Sequence, residues 1–496
     1  MTTLNKRASG VLMHISSLPG STGIGTMGQE AFNFIDLLHK SNQTYWQLLP
    51  ICPTGYGDSP YQSFSTFAGN PYFIDFKLLE KDGYLIEEDY ASIDWGNDNT
   101  AVDYGKLYQN RPIVFKILQK NFKKKIPADF EDFCKDNEFW LDDYALFMAI
   151  KDRHDGHALA EWEEEIRFRK PEIIEKLKVE EAEKIEYYKM LQYFFFTQWK
   201  KLKEYANSKG ICIIGDIPIY VSADSSDVWA SPSQFALDEK LNPIEVAGCP
   251  PDGFSATGQL WGNPVYNWDY MAHTGYEWWT RRIKKSLETY DIIRIDHFRG
   301  FDSFYCIPAG AKTAESGEWK KGPGMSLFTE LRNNLGSLPV IAEDLGFLTD
   351  SVKQLLKDSG FPGMKVLEFA FDSREENDYL PETYPKNAVV YTGTHDNDTI
   401  LGWSETAPKT DVENALHYFG ITQKKALRDY MIEAAFRSKA NTCVITMQDI
   451  LAKGSEARMN TPSTQGNNWK WRAESTELLK ANWQWLKEQT EQSGRW

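Results

Sequence analysis

What most limits how this chain can fold is a set of eight short apolar runs, most of them alternating with helical patterns. They are Ser9–Ile15, Thr44–Ile51, Ile211–Asp216, Ile292–Asp296, Leu338–Glu343, Gly363–Glu368, Ala388–Thr394 and Thr442–Gln448. A near-continuous apolar run suits a strand buried on both faces, as in a parallel sheet covered by helices. Helical periodicity occupies several of the intervening stretches, among them Glu30–Lys40, Thr349–Asp358 and Gln423–Arg437. Eight strand–helix units in one chain predict an α/β protein built as a (β/α)8 TIM barrel.

The spacing of the runs is uneven, so long segments must interrupt the barrel. Residues 1–78 supply the first two strands and a loop rich in aromatic residues from Pro53 to Phe73. Over 79–208 charge rises, glycine becomes scarce and helical periodicity dominates, which predicts a mainly helical insertion. Glu164–Lys178 alternates charge like a solvated helix face. Val179–Ser208 reads as one long helix with Tyr187, Tyr188, Phe194, Phe195 and Trp199 on its apolar side, stopped by Gly210. Residues 209–496 hold strands three to eight, with loop insertions near 222–285 and 302–335. After the eighth strand the pattern is helical over Glu474–Gln489, with no run of strands of the kind that would make a C-terminal β-sandwich.

Several strands run into acids. The third ends at Asp216, the fourth at Asp296, the fifth at Glu343 and Asp344, and the seventh at His395 and Asp396. One such acid is readily a helix N-cap. Four strands ending this way point instead to the C-terminal mouth of a barrel, where active sites of this fold lie. The fourth strand, D-I-I-R-I-D-H-F-R over Asp291–Arg299, also holds Arg294 and His297, charged or polar groups that are costly to bury unpartnered. An Arg beside an Asp favours and orients the carboxylate, which is what a nucleophile needs. A ring of carboxylates fits two chemistries. In glycoside chemistry one acid attacks the anomeric carbon and another serves as general acid and then base. In a metal site His297, His395 and the acids would be ligands. Barrel metallohydrolases would carry an H-x-H pair on an early strand, and the first strand offers only His14, so no metal is expected. Gly23, Gly25 and Gly28 match G-x-G-x-x-G, but the next strand ends I-C-P and lacks the acid a dinucleotide site requires. That stretch reads as a loop of tight turns.

Composition narrows the partners. Lys+Arg 55 against Asp+Glu 71 leaves a formal charge of −16, which argues against nucleic acid or an anionic membrane as the main partner. Trp 17, Tyr 24 and Phe 28 serve a core, or provide the flat faces on which sugar rings stack. The six cysteines include no C-x-x-C pair, and Cys212 and Cys443 lie in apolar runs, so buried thiols are expected rather than disulfides or zinc ligands. No signal peptide and no membrane-spanning run is read, which makes the cytoplasm the expected location.

With these residues in view, the chain resembles the 4-alpha-glucanotransferases (amylomaltases, or disproportionating enzymes) of the alpha-amylase clan. The resemblance extends over nearly the whole length. It rests on Y-G-D-S-P-Y-Q-S-F-S at 56–65, G-D-I-P-I-Y-V at 215–221, G-Q-L-W-G-N-P at 258–264, R-I-D-H-F-R-G at 294–300, A-E-D-L-G at 342–346, G-T-H-D-N-D-T at 393–399 and E-A-R-M-N at 456–460. It implies that Asp296 is the nucleophile, Glu343 the general acid and base, and Asp396 a stabiliser of the oxocarbenium-like transition state. Arg294 would orient Asp296, His395 would hold the same sugar as Asp396, and Asp216 would line the donor site. Tyr61 would stack at the cleft with Ser59 near it. Gln259, Trp261 and Asn263 would form an acceptor-side loop, and Asp372 would contact the acceptor sugar. Read from its residues, Gly454–Trp471, rich in Asn and Thr with Trp469 and Trp471, is either a cover for the cleft or an ordinary structured loop. The implied activity is retaining transfer of alpha-1,4-glucan segments to a sugar 4-hydroxyl, on maltooligosaccharides and alpha-1,4-glucans with glucose or maltose as acceptor and with no cofactor. A glucan hydrolase using the same carboxylates is the alternative, and a non-catalytic glucan-binding protein is a third reading. Binding alone has no use for an acid/base pair.

Overall fold

The computed structural model describes residues 4–251, 255–346, 348–374 and 378–496. Among these, the first six strands are β1 (Ala8–Leu12), β2 (Tyr45–Gln47), β3 (Cys212–Ile217), β4 (Glu245–Cys249), β5 (Gln259–Pro264) and β6 (Ile292–Ile295). The remaining six are β7 (Ser303–Pro308), β8 (Glu318–Lys321), β9 (Val340–Ala342), β10 (Gly363–Val366), β11 (Ala388–Tyr391) and β12 (Thr442–Thr446). Eight of them form one parallel sheet in the order β10-β11-β12-β1-β2-β3-β6-β9. The two ends of that sheet meet: the Ala342 N–H donates to the Pro362 carbonyl at 2.9 Å, and the Met364 N–H to the Asp344 carboxyl at 2.6 Å. This is the (β/α)8 barrel, and each expected apolar run overlaps one of its strands.

Side-chain alternation explains why these runs are apolar throughout. Leu12, Tyr45, Ile214, Val389 and Val444 pack together inside the barrel. Their chain neighbours Val11, Trp46, Ile213, Val390 and Cys443 belong to the cluster shared with the surrounding helices. Both faces of each strand are therefore buried, as parallel barrel strands require.

The segments expected as loop insertions hold more structure than the sequence showed. Strands β5-β4-β7-β8 make a separate antiparallel sheet, built half from each segment. Its strand β8 is E-W-K-K and largely exposed, so it carries no apolar run to announce it. Helices Glu277–Thr289 and Met325–Leu335 in the same segments precede β6 and β9 and pack on each other, occupying crossover positions of the barrel.

Residues 79–208 are helical, chiefly Tyr104–Phe122, Glu138–Arg153, Pro171–Glu180 and Ala182–Ser208. The last begins at Ala182 rather than Val179, because Glu181 at φ −102° and ψ 14° separates it from the helix before. Its buried side carries Tyr188, Phe194, Phe195 and Trp199 as expected. The helix expected over Glu474–Gln489 is two, Ser475–Lys480 and Trp483–Gln492; Asn482 starts the second by accepting from the Trp485 N–H. The glycine-rich stretch after β1 is a tight loop: Gly23 has φ +81°, and a Cβ on Gly25 would lie 1.9 Å from the Ile15 carbonyl oxygen. The six cysteines, all among the described residues, form no disulfide. No described helix is long and apolar enough to cross a membrane.

Candidate active site

The site starts from two neighbouring strands in register. Asp216 on β3 stands opposite Arg294 on β6, and both side chains point into the barrel. Arg294 Nη1 donates to Asp216 Oδ1 and Oδ2 at 2.8 and 2.7 Å and to Asp296 Oδ1 at 3.0 Å. The Asp216 side chain is 0% exposed and that of Asp296 29%. Of two acids sharing one guanidinium, only Asp296 is therefore open to a substrate. Burial alone would lower the Arg294 pKa, but Asp216 and then Asp296 outweigh it and carry it well above its ordinary value. Burial pushes the Asp216 carboxyl up, with Arg294 opposing.

Glu343 follows β9 and is seated by backbone. Its Oε2 accepts from the His297 N–H at 2.6 Å and its Oε1 from the Leu345 N–H at 2.9 Å. The first bond depends on an unusual conformation: His297 has φ 52° and ψ 52°, left-handed backbone that non-glycine residues adopt mainly where surroundings enforce it. Glu343 stays partly exposed, yet desolvation and the charge of Asp296 raise it to about 7, against Arg294 and the two N–H groups. A carboxyl poised there can give and take a proton at neutral pH. Burial lowers the neighbouring His297 to about 4, so its imidazole is neutral. Trp261 meets that ring edge-on, with centroids 4.9 Å apart.

The third carboxylate is held from the C-terminal part of the chain. Asp396 Oδ1 accepts from Asn460 Nδ2 at 2.6 Å and lies 3.4 Å from His395 Nε2. Arg458 donates to the Asp396 carbonyl at 2.6 Å, and the Asn460 N–H to the His395 carbonyl at 3.0 Å. The His395 ring stacks on Tyr61, 5.2 Å apart and 16° from parallel, and Trp469 packs against both. Tyr61 closes the circuit by donating from its hydroxyl to Asp216 Oδ2 at 3.0 Å. An unbroken path of contacts thus joins Asp396, His395, Tyr61, Asp216, Arg294, Asp296, His297 and Glu343.

The remaining expected residues divide. Gln259 and Trp261 lie at alternate positions of β5, and Asn263 follows across a bulge at which Gly262 takes φ +77°. Trp261 Nε1 donates to Gln259 Oε1 at 3.1 Å, and Gln62 donates to Asn263 Oδ1 at 2.9 Å, linking this strand to the loop that carries Tyr61. Ser59 Oγ accepts from the Tyr61 N–H at 3.2 Å, so it shapes the Tyr61 turn. Asp372 is paired with Arg374, whose Nε donates at 2.8 Å, and Arg374 lowers its pKa. Its carboxylate bonds Arg374 and, among the described residues, none of the three carboxylates' partners. Asn460 and Arg458 escaped the sequence reading as site residues, although E-A-R-M-N pointed to their neighbourhood; Trp469 was read only as part of a stretch over the cleft. Their part depends on a loop folding back across the barrel mouth, where the Tyr104 hydroxyl donates to the Trp469 carbonyl at 2.9 Å. Among the described residues no three His, Cys, Asp or Glu side chains converge as metal ligands would.

An open acid held by a buried arginine, beside a second acid poised near neutrality at the mouth of a barrel, fits an enzyme of glycoside chemistry. The comparisons with known proteins agree and go further. The family model described as 4-alpha-glucanotransferase, Glyco_hydro_77, matches residues 13–477, and the chain belongs to that family. It is 51% identical over 464 residues to the 4-alpha-glucanotransferase of Clostridium butyricum, covering 93% of this chain and 95% of the relative. It is 46% identical over 483 residues to that of Thermus thermophilus, with 95% and 96% covered. Among solved structures, the amylomaltase of Streptococcus agalactiae in complex with acarbose superposes with a TM-score of 0.96 at 44% identity, covering 99% of this chain and 100% of that one.

Proposed function

We propose that the chain is a retaining 4-alpha-glucanotransferase in which Asp296, Glu343 and Asp396 carry the reaction. Asp296 attacks the anomeric carbon of an alpha-1,4-glucan as the bond from that carbon to the glycosidic oxygen breaks. Glu343 gives its proton to the departing oxygen, leaving a beta-glycosyl ester on Asp296. An acceptor 4-hydroxyl then attacks the same carbon, its proton passes to Glu343, and the ester bond to Asp296 breaks. Inversion twice restores the alpha configuration. Asp396, oriented by Asn460, stabilises the positive charge that develops on the ring in both steps. The observation that carries this reading is the shared Arg294: it orients Asp296 while Glu343, one backbone bond from His297, is raised to about 7.

The acceptors are glucose, maltose and longer maltooligosaccharides, met by Gln259, Trp261 and Asn263 of β5, with Asp372 a further contact to the acceptor sugar. Asp216 and Tyr61 support the donor side together with His395. Family membership favours transfer to a sugar over hydrolysis. Acarbose, bound by the Streptococcus agalactiae amylomaltase, is expected to bind in this cleft. A cytoplasmic location accords with six cysteines that form no disulfide with one another, and cell fractionation tests it. For the activity, the pure protein is incubated with maltotriose and the products are resolved by size over time. Glucose with a ladder of longer oligosaccharides, at constant reducing-end count, is the expected result. Glucose and maltose alone, with reducing ends rising, would make the protein a hydrolase.

A further inference from the structure

The catalytic arrangement leaves one buried acid without a task. Glu368, just after β10, is 4% exposed, and its Oε1 has no hydrogen-bond partner. Its carboxyl group lies beside the side chain of Asn397. Asn397 Oδ1 in turn accepts from the Thr394 N–H and hydroxyl, each at 2.9 Å. The Thr394 hydroxyl oxygen accepts from the Asp396 N–H at 3.3 Å. Glu368 therefore packs on Asn397, whose hydrogen bonds run through Thr394 to the backbone of Asp396. The fit is close: a Cβ on Gly393 would stand 2.9 Å from Glu368 Oε1 and 3.0 Å from Asn397 Cβ.

We propose that Glu368 is a positioning residue of the transfer reaction, whose carboxyl group, through Asn397 and Thr394, fixes the loop that presents His395 and Asp396 to the sugar. It acts uncharged. Three ionisable groups face it: Asp449 after β12, itself raised by burial, Asp398 after β11, and Arg458. Asp449 is tied to the Thr392 hydroxyl and the Ile400 N–H, each at 2.8 Å, and Asp398 to the Ser455 hydroxyl at 2.7 Å. Arg458 is the single cation of the three and already serves the carbonyls of Asp396 and Asn460. A negative charge on Glu368 would be buried with an unpaired oxygen, which is costly. Burial, then Asp449 and Asp398, raise Glu368 well above the ordinary carboxyl range, with Arg458 and Asn397 opposing.

This inference rests on the role given to Asp396, and the test keeps the two apart. Transfer kinetics on maltotriose are measured for the wild type, Glu368→Gln and Glu368→Leu, with thermal unfolding followed from pH 5 to 9. If the wild type makes no transfer products, the functional reading fails; the positioning role is judged from the variants against an active wild type. Glu368→Gln, a neutral isostere, is expected to keep kcat within roughly two-fold, and Glu368→Leu to lower it roughly 10- to 100-fold with KM little changed, as misplaced catalytic groups do. The folded protein retains a proton that the unfolded chain releases above the ordinary carboxyl range, so as pH rises the wild type loses a share of stability that Glu368→Gln does not lose. The Tm advantage of Glu368→Gln should therefore grow with pH. Should Glu368→Leu fail to fold, Asn397→Ala cuts the same path one link on and is expected to lose kcat likewise. Full kcat in Glu368→Leu or Asn397→Ala, a Glu368→Gln variant as impaired as Glu368→Leu, or a Tm difference that is flat with pH would overturn the proposal.

Discussion

Replacing Asn460 by Ala isolates how far Asp396 depends on its orientation. The substitution removes a 2.6 Å donor to Asp396 Oδ1. The two backbone ties around it, from Arg458 to the Asp396 carbonyl and from the residue-460 N–H to the His395 carbonyl, do not involve the lost side chain. The loop should therefore hold its course while one charge-assisted bond is lost. Such bonds contribute about 1.5–3 kcal/mol, which as transition-state stabilisation corresponds to about 10- to 150-fold in rate. The Asp396 side chain is 44% exposed, so water replaces part of the lost donor and the lower end of that range applies. The expected result is a kcat on maltotriose about ten-fold below wild type, a KM within roughly three-fold, and a nearly unchanged unfolding midpoint. Asn460→Asp would set a second carboxylate against Asp396 and should be worse than Asn460→Ala. Initial rates of glucose release measure all of this. A kcat within two-fold of wild type for Asn460→Ala, or a loss carried by KM alone, would refute the claim that orientation of Asp396 drives the chemistry.

Three further outcomes are expected. Cleavage of the donor needs the proton on Glu343, which is held at about 7; kcat/KM for the donor should fall about ten-fold per pH unit above that value. Glu343→Gln should flatten that limb and lower turnover of maltotriose by about 10²–10⁴-fold, while still forming the covalent intermediate from a maltosyl fluoride, whose leaving group needs no proton. Arg294→Met leaves Asp216, with its 0% exposed side chain, without its cation; chemical denaturation should show a loss of about 3–5 kcal/mol, and transfer should disappear. Dialysis against a chelator should leave the rate of transfer unchanged, and a loss restored by one added metal ion would contradict that.

The barrel was legible along the chain because each of its strands is buried on both faces. Runs such as Ile211–Asp216 and Ala388–Thr394 had to be apolar throughout, and that leaves a local signal. The same contrast exposed Asp296, Glu343 and Asp396: an acid directly after an apolar run marks the point where a strand leaves the core. The antiparallel sheet left no such mark, since β8 is short, charged and exposed and its sheet is assembled from two separated segments. Asn460 and Glu368 were silent for another reason. An Asn in a loop and an acid after a strand acquire their tasks only when barrel closure brings Asn460 to Asp396, and Glu368 to Asn397. Protonation follows the same division. The chain determined that Glu343 is a carboxylic acid at the end of a strand. Its rise to about 7 came from enclosure at the barrel mouth and from the charge of Asp296 on a neighbouring strand, and desolvation and Coulomb forces depend on distances in space that the order of residues does not contain.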